Sequence, residues 1–277
     1  MKKIFFWSAT VLACMSLVAC GNKKTAESAV EHEFVTDQYG VVQRVDPAEK
    51  HVYLVFTAHF SENDNGAFEN FDGIIPVLNT LQEKDVKGSF FPTGACFREP
   101  KYHDAIMRIM ADGHYLSHHS NKHLLMCPED GSRDTVNLCT EDSIREDMTE
   151  IAEVLKAFGL EREDYPWMIP PYEVYNQFSA DILRDCGYKL VNPTQATLIT
   201  GNDWCAETSP AFHSGDELLE KLWEIERNET LNGAVILVHA MVYPGRQDKD
   251  RMFCRLPEII DHLRELGYDF RTFNDLK

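Results

Sequence analysis

The sequence predicts an α/β protein, an irregular (β/α) barrel of about seven strands, and three observations carry that reading. Short runs rich in β-branched and aromatic residues alternate with longer segments whose apolar residues recur at helical spacing. Glycine and proline stand at the joints between them. The residues able to do chemistry fall directly after the predicted strands, where barrel folds build their sites. The repeated strand-then-helix order implies parallel pairing with helices outside. There is no internal repeat, and residues 51–277 read as one domain.

In order, His51 to Thr57 is a buried strand, and the polar loop Ala58 to Gly66 follows it. A helix over Phe68 to Gln82 places Ile74, Ile75, Leu78 and Leu81 on one face, and Val86 to Phe91 is a second strand ended by Pro92 and Gly94. Tyr102 to Ala111 is helical by period, Gly113 closes it, and His114 to Leu116 is a third strand. Thr140-Glu141-Asp142 starts a helix that runs to Phe158 and stops at Gly159. Trp167 to Ile169 is a strand ended by Pro170-Pro171, because proline cannot donate to a ladder. Ser179 to Cys186 is a helix and Tyr188 to Val191 a strand; Ser214 caps a helix to Arg227; Ala234 to His239 is a strand; Leu256 to Leu266 is a helix; and Tyr268 to Phe273 is the last strand.

The chain has 277 residues, 44% of them hydrophobic, which suffices for one large core. Lys2 and Lys3, an apolar run from Ile4 to Val18 and the ending Leu17-Val18-Ala19-Cys20 resemble a bacterial lipoprotein signal. Residues 1–19 would be removed and Cys20 lipidated. Residues 20–50 then read as a tether, since the apolar run is shorter than the roughly 20 residues of a membrane span. The expected address is the bacterial cell envelope, held through the lipid anchor alone, with Gly21 pointing to the outer membrane over the inner. The formal charge of −18, with no basic stripe, excludes nucleic acid as a partner. A monomer is expected. Six further cysteines form no Cys-x-x-Cys pair, and Cys127 and Cys139, which bracket a turn-rich loop, are the expected bridge.

Four histidines fall between His114 and His123. His119 and His123 stand four apart, so a helical turn would put both on one face, able to bind one cation at roughly 2.0–2.1 Å. His118, adjacent to the pair, points away from it. The loop after Thr57 adds His59, Glu62 and Asp64; Pro170-Pro171-Tyr172-Glu173 follows another strand; and His239 ends Leu237-Val238-His239. Imidazoles for a metal with a separate acid or base are the inventory of metal-assisted hydrolysis. Asp203 and Trp204 could line a sugar subsite by hydrogen bonding and ring stacking, with His59 also facing substrate.

These residues resemble the polysaccharide deacetylases, the NodB-homology domain of carbohydrate esterase family four, over most of residues 50–276. Ser89-Phe90-Phe91 with Thr93-Gly94 is similar to the family's second strand, and His119-Ser120-Asn121-Lys122-His123 to its His-Ser/Thr-x-x-His metal motif. Pro170-Pro171-Tyr172 is similar to its Arg-Pro-Pro-Tyr segment, and Leu237-Val238-His239 to the Leu-x-His carrying the catalytic histidine. Two departures stand out. The family's first strand ends Thr-Phe-Asp-Asp-Gly, the first Asp a base and the second a metal ligand, whereas here Val55-Phe56-Thr57-Ala58-His59 has neither carboxylate. The family Arg that pairs with the first Asp is Ile169. Losing both charges together is coherent, since either alone would be a buried unpaired charge. The envelope branch of such proteins, with Phe-Thr-Gly-His-Glu-Phe at this strand and Pro-Pro-Tyr-Glu at the third motif, resembles this chain more closely.

The resemblance implies a metal-dependent hydrolase that removes N- or O-linked acetyl groups from a carbohydrate or cell-wall glycan. It implies a divalent cation of zinc type, nickel or cobalt being alternatives, on His119, His123 and a first-loop group, with Asp64 the choice and His59 or Glu62 the alternatives. Glu173 would be the replacement base, Tyr172 N–H the oxyanion donor and His239 the acid. The competing expectation is an impaired deacetylase-like lipoprotein that binds metal and an acetylated glycan without turnover.

Overall fold

The computed structural model describes residues 31–60 and 70–276, and the compact unit runs from His32 to Lys277. Its centre is β3 (His51–Ala58), with every residue buried, flanked in parallel by β4 (Ser89–Pro92) and β8 (Ala234–His239). Burial on both faces explains why β3 and β8 are continuous apolar runs without alternation. β5 (Tyr115–Leu116) extends the sheet parallel to β4, and β9 (Asp269–Arg271) joins the start of β3. On the other side β8 is followed by the antiparallel β2 (Val42–Val45) and β1 (Phe34–Thr36). β6 (Trp167–Met168) and β7 (Lys189–Leu190) pair with each other in parallel.

The helices lie between the strands as expected. They are α1 (Ile74–Glu83), the short α2 (Gly94–Arg98), α3 (His103–Ala111), α4 (Glu141–Ala157), α5 (Gln177–Asp185), α6 (Gly215–Glu229) and α7 (Leu256–Glu265). Thr140 caps α4 through Ser143 N, and Ser214 caps α6 in a reciprocal capping box with Glu217. Each helix longer than α2 buries one apolar stripe, for example Ile144, Met148, Ile151 and Leu155 of α4.

The curled seven-stranded sheet stays open at its β5 edge, and side chains span the gap to β6. Tyr115, Ser117 and His119 alternate along one face of the chain leaving β5. Tyr115 Oη and Ser117 Oγ donate to Trp167 O at 3.1 and 2.5 Å, and His119 Nδ1 lies 2.9 Å from Ile169 O. On the far side a Val42–Val191 bridge and Asn192 N donating to Val42 O tie β7 to β2. This is the irregular barrel that the sequence predicts.

Three expectations are corrected. Residues 20–50 are not tether throughout, because β1 and β2 lie within them: Val41, Val42 and Val45 are buried against the barrel, a pattern too short to register as a period. The helix expected from Phe68 begins at Ile74, after an Asn70 turn in which Asn70 Oδ1 accepts Asp72 N. Cys127 and Cys139 are not bridged and, like Cys186, Cys205 and Cys254, are free thiols; Cys139 Sγ instead donates to Leu125 O at 3.5 Å. The signal segment with Cys20, and Glu62 and Asp64 of the first loop, lie outside the described residues. Among the described residues no helix is long and apolar enough to cross a membrane.

Candidate functional site

The histidine segment is not helical. After β5 the chain keeps pairing with β4, Ser117 N donating to Phe90 O and His119 N to Pro92 O, which places His119 at the carboxyl edge of the sheet. Ser120 and His123 then adopt left-handed φ of 68° and 54°, and this loop, not a helix face, turns the two rings to a centroid distance of 5.0 Å. Asp147 of α4 clamps the loop from below, its carboxylate accepting Asn121 N at 2.9 Å and Lys122 N at 2.8 Å. Asn121 also accepts from Arg98 at 2.6 Å and donates to Glu150 at 2.5 Å. A Cβ on Gly94 would stand 2.1 Å from Asn121 Oδ1, so only glycine admits this network.

Around the pair the structure brings together most of the residues singled out from sequence. His59 stacks on His123 at 4.6 Å and bonds Thr93 Oγ1 through Nδ1 at 2.9 Å. The Tyr172 ring stacks on the His123 ring at 4.3 Å, and Tyr172 is 41% exposed. Glu173 Oε1 reaches to 3.5 Å from His119 Nε2. Tyr172 and Glu173 are consecutive left-handed residues, φ 59° and 57°, in a tight turn over Pro171–Glu173 held by Glu173 N donating to Pro170 O and Asn192 Nδ2 donating to Glu173 O.

His239 ends β8 in register with Thr57. Its Nδ1 is 2.8 Å from Asp203 Oδ1, while Asp203 Oδ2 accepts Met252 N at 3.1 Å. Both oxygens of the fully buried Asp203 are thus engaged behind His239, and it does not face a substrate as expected from sequence; Trp204 beside it is 45% exposed. His118 points away as expected, buried against Tyr165 and Tyr188. His114 is structural, accepting Gly88 N.

The electrostatics separate the groups. Burial drives the His119 pKa down to about 3, against the Ile169 carbonyl bond that favours its charged form, and burial with the neighbouring imidazoles holds His123 well below the usual range. Both are neutral at pH 7 and able to offer lone pairs. Burial raises Glu173 to about 7, although His239 opposes that shift. Burial also disfavours charge on His239, but the Asp203 bond and charge outweigh it, with Glu173 adding to them, so its pKa is raised.

Neutral imidazoles, one with its tautomer fixed by a carbonyl, suit a borderline divalent cation. Two buried polar atoms here, His123 Nδ1 and Glu173 Oε1, have no hydrogen-bond partner. As placed, however, no three His, Cys, Asp or Glu side chains among the described residues form a group that could hold a metal ion. The donor chemistry fits at two imidazoles, His119 and His123.

Sequence reasoning missed Asp203 as the partner of His239, because a pairing across 36 positions leaves no local pattern. Asp147 was findable, as an acidic residue inside the apolar stripe of α4.

Comparison with known proteins agrees with this architecture. The polysaccharide deacetylase family profile matches residues 44–191. A peptidoglycan-N-acetylglucosamine deacetylase of Bacillus cereus is 27% identical over 201 residues, covering 72% of this chain and 64% of that protein, less than two thirds of its length. Among solved structures, a pseudoenzyme of carbohydrate esterase family four from Bacillus anthracis superposes with a TM-score of 0.62 at 19% identity, covering 85% of this chain and 68% of that one. A mutant of that pseudoenzyme with restored enzymatic activity gives 0.62 and 19%, covering 85% and 70%. The family 4 carbohydrate esterase PdaA of Bacillus subtilis gives 0.60 at 21%, covering 86% and 85%. These structural likenesses speak to fold alone; with the profile match over more than half of its length, the chain belongs to the polysaccharide deacetylase family.

Proposed function

We propose that this chain is an envelope protein that binds acetylated glycan at a deacetylase-type site whose turnover is impaired, with His119 and His123 as the imidazole pair that takes a divalent cation. The lipobox-like ending at Cys20 supports attachment through a lipid. One observation carries the reading. At the three positions where the family resemblance puts two Asp and an Arg, the chain has Thr57, Ala58 and Ile169, all buried and neutral. Their backbones are built into the sheet end: Thr57 O accepts Ala240 N, Ala58 O accepts Thr93 N and Ile169 O receives His119 Nδ1. The half-exposed Tyr172 and Trp204 suit stacking on sugar rings.

A second reading, a working hydrolase, is favoured by Glu173, which burial holds near pH 7 beside the site. There the Glu173 carboxylate would take the proton of an attacking water, Tyr172 N–H would hold the tetrahedral oxyanion, and His239, braced by Asp203, would protonate the departing amine or alcohol. Cation supplied to His119 and His123 would polarise the acyl carbonyl.

Titration with N-acetylglucosamine oligomers and acetylated xylan fragments, with acetate release followed in parallel, separates the two. Saturable binding with release at the level of the buffer blank, with or without chelator, is expected. Release that is lost in Glu173→Gln and in His239→Ala would establish the second reading in its place.

A further inference from the structure

Glu173 is held where it stands at some conformational expense. Two successive non-glycine residues, Tyr172 and Glu173, are left-handed, a conformation that L side chains avoid. The result is a carboxylate turned in from the β6 side of the barrel, with Oε1 buried and without a hydrogen-bond partner. It faces the ring nitrogen of His119 that carries a lone pair, because Nδ1 uses its proton on Ile169 O. Two acceptors oppose each other across 3.5 Å. A proton shared between them would draw them to roughly 2.7–2.9 Å. Two ligands of one tetrahedral cation, each at roughly 2.0–2.1 Å, stand about 3.3–3.4 Å apart. The observed 3.5 Å lies nearer that bite than the distance of a shared proton, and as placed the two side chains make a pair to which a further ligand must close. His123 Nδ1, a second buried atom without a partner, lies in the neighbouring ring.

We propose that Glu173 is the anionic ligand of a divalent cation that it shares with His119, so that the carboxylate absent at Ala58 on β3 is replaced from the opposite side of the barrel. This rests on the reading that the imidazole pair takes a cation, and it deepens that reading. It also accounts for impaired turnover, since a carboxylate bound to the cation is withdrawn from service as a base. The class of ligand is a zinc-type ion that accepts mixed nitrogen and oxygen donors.

The full chain, stripped with chelator and dialysed, is titrated with Zn²⁺ by calorimetry and with Co²⁺ by visible absorption, for wild type, Glu173→Gln and Glu173→Asp. Near-UV circular dichroism checks the fold of each. One equivalent is expected in wild type. In Glu173→Gln the affinity should fall by no less than the roughly 10–100-fold seen for second-shell partners, with a changed cobalt spectrum, and Glu173→Asp should recover part of it. Infrared difference spectra of the ¹³C-glutamate-labelled wild type, with and without Zn²⁺, should show a shifted glutamate carboxyl band, a readout that needs no variant. Unchanged affinity and spectrum in Glu173→Gln, with no glutamate band shift, would overturn the role of Glu173 while leaving the cation on the histidines. Absence of binding by wild type at millimolar Zn²⁺ would overturn both, and glycan binding, measured separately, would stand or fall independently.

Discussion

Ile169→Arg tests whether the missing charges left the site together. Ile169 is buried in the cluster with Val55, Phe91, Tyr115 and Leu237, and Thr57 borders that cluster from β3. A guanidinium placed there alone is a buried charge without a partner, which costs about 3–5 kcal/mol. For a domain whose total stability is about 5–15 kcal/mol, the variant should still fold, with a much lower urea midpoint. Thr57→Asp alone also loses stability, though His239, its register neighbour, offers partial compensation. The double variant should lose less than the sum of the two, by a coupling of about 1–3 kcal/mol, because the carboxylate and the guanidinium then pair. Urea denaturation of all four proteins at pH 7 gives the coupling directly. Strictly additive losses, within about 0.5 kcal/mol, would show that the two positions do not face one another and would remove the argument for paired loss.

Two further outcomes are expected. Burial holds the His114 pKa down to about 4 from 6.5, so its imidazole stays neutral in the native state while the unfolded chain takes up the proton. The associated stability, about 3 kcal/mol, is present above pH 6.5 and is lost as pH falls from 6.5 through 4; His114→Gln should flatten that limb of a stability–pH curve, and an unchanged slope would refute the assignment. Asp147→Ala strands the Asn121 and Lys122 amides and should cost about 2–4 kcal/mol by urea denaturation, with broadened His119 and His123 imidazole NMR signals; a loss below about 1 kcal/mol would mean that the loop holds itself.

How far the chain could be read before its structure depended on whether a feature is local. β3, β8, α4 and α6 carry their signal within their own residues, as continuous apolar runs or as a capped apolar stripe, and they stand where the sequence puts them. β1 and β2 do not: each is four residues or fewer, β1 is exposed and pairs only with β2, and β2 is placed by a partner far along the chain, as in the pairing of Arg44 with Ala234. At the site, the identity of His119, His123 and His239 was legible, but their geometry was not. Spacing by four suggested a helix face, whereas Asp147 and the left-handed Ser120 impose a loop. Glu173 could be named as unusual from its place after Pro-Pro-Tyr, but not as a group facing His119, because that contact joins two strand ends through tertiary structure.

The gap between β5 and β6 gives His119 a second occupation. Its ring is the last of three side-chain rungs, after Tyr115 and Ser117, that hold two halves of the barrel wall where no backbone ladder does so. His119 thus belongs to the wall on one side and reaches across to the carbonyl of Ile169 on the other, four residues before Glu173 on the same side. Anything held between the His119 nitrogen and the Glu173 oxygen would draw on both halves. A cation shared by these two groups would therefore add a fourth tie to a joint that the three rungs already hold.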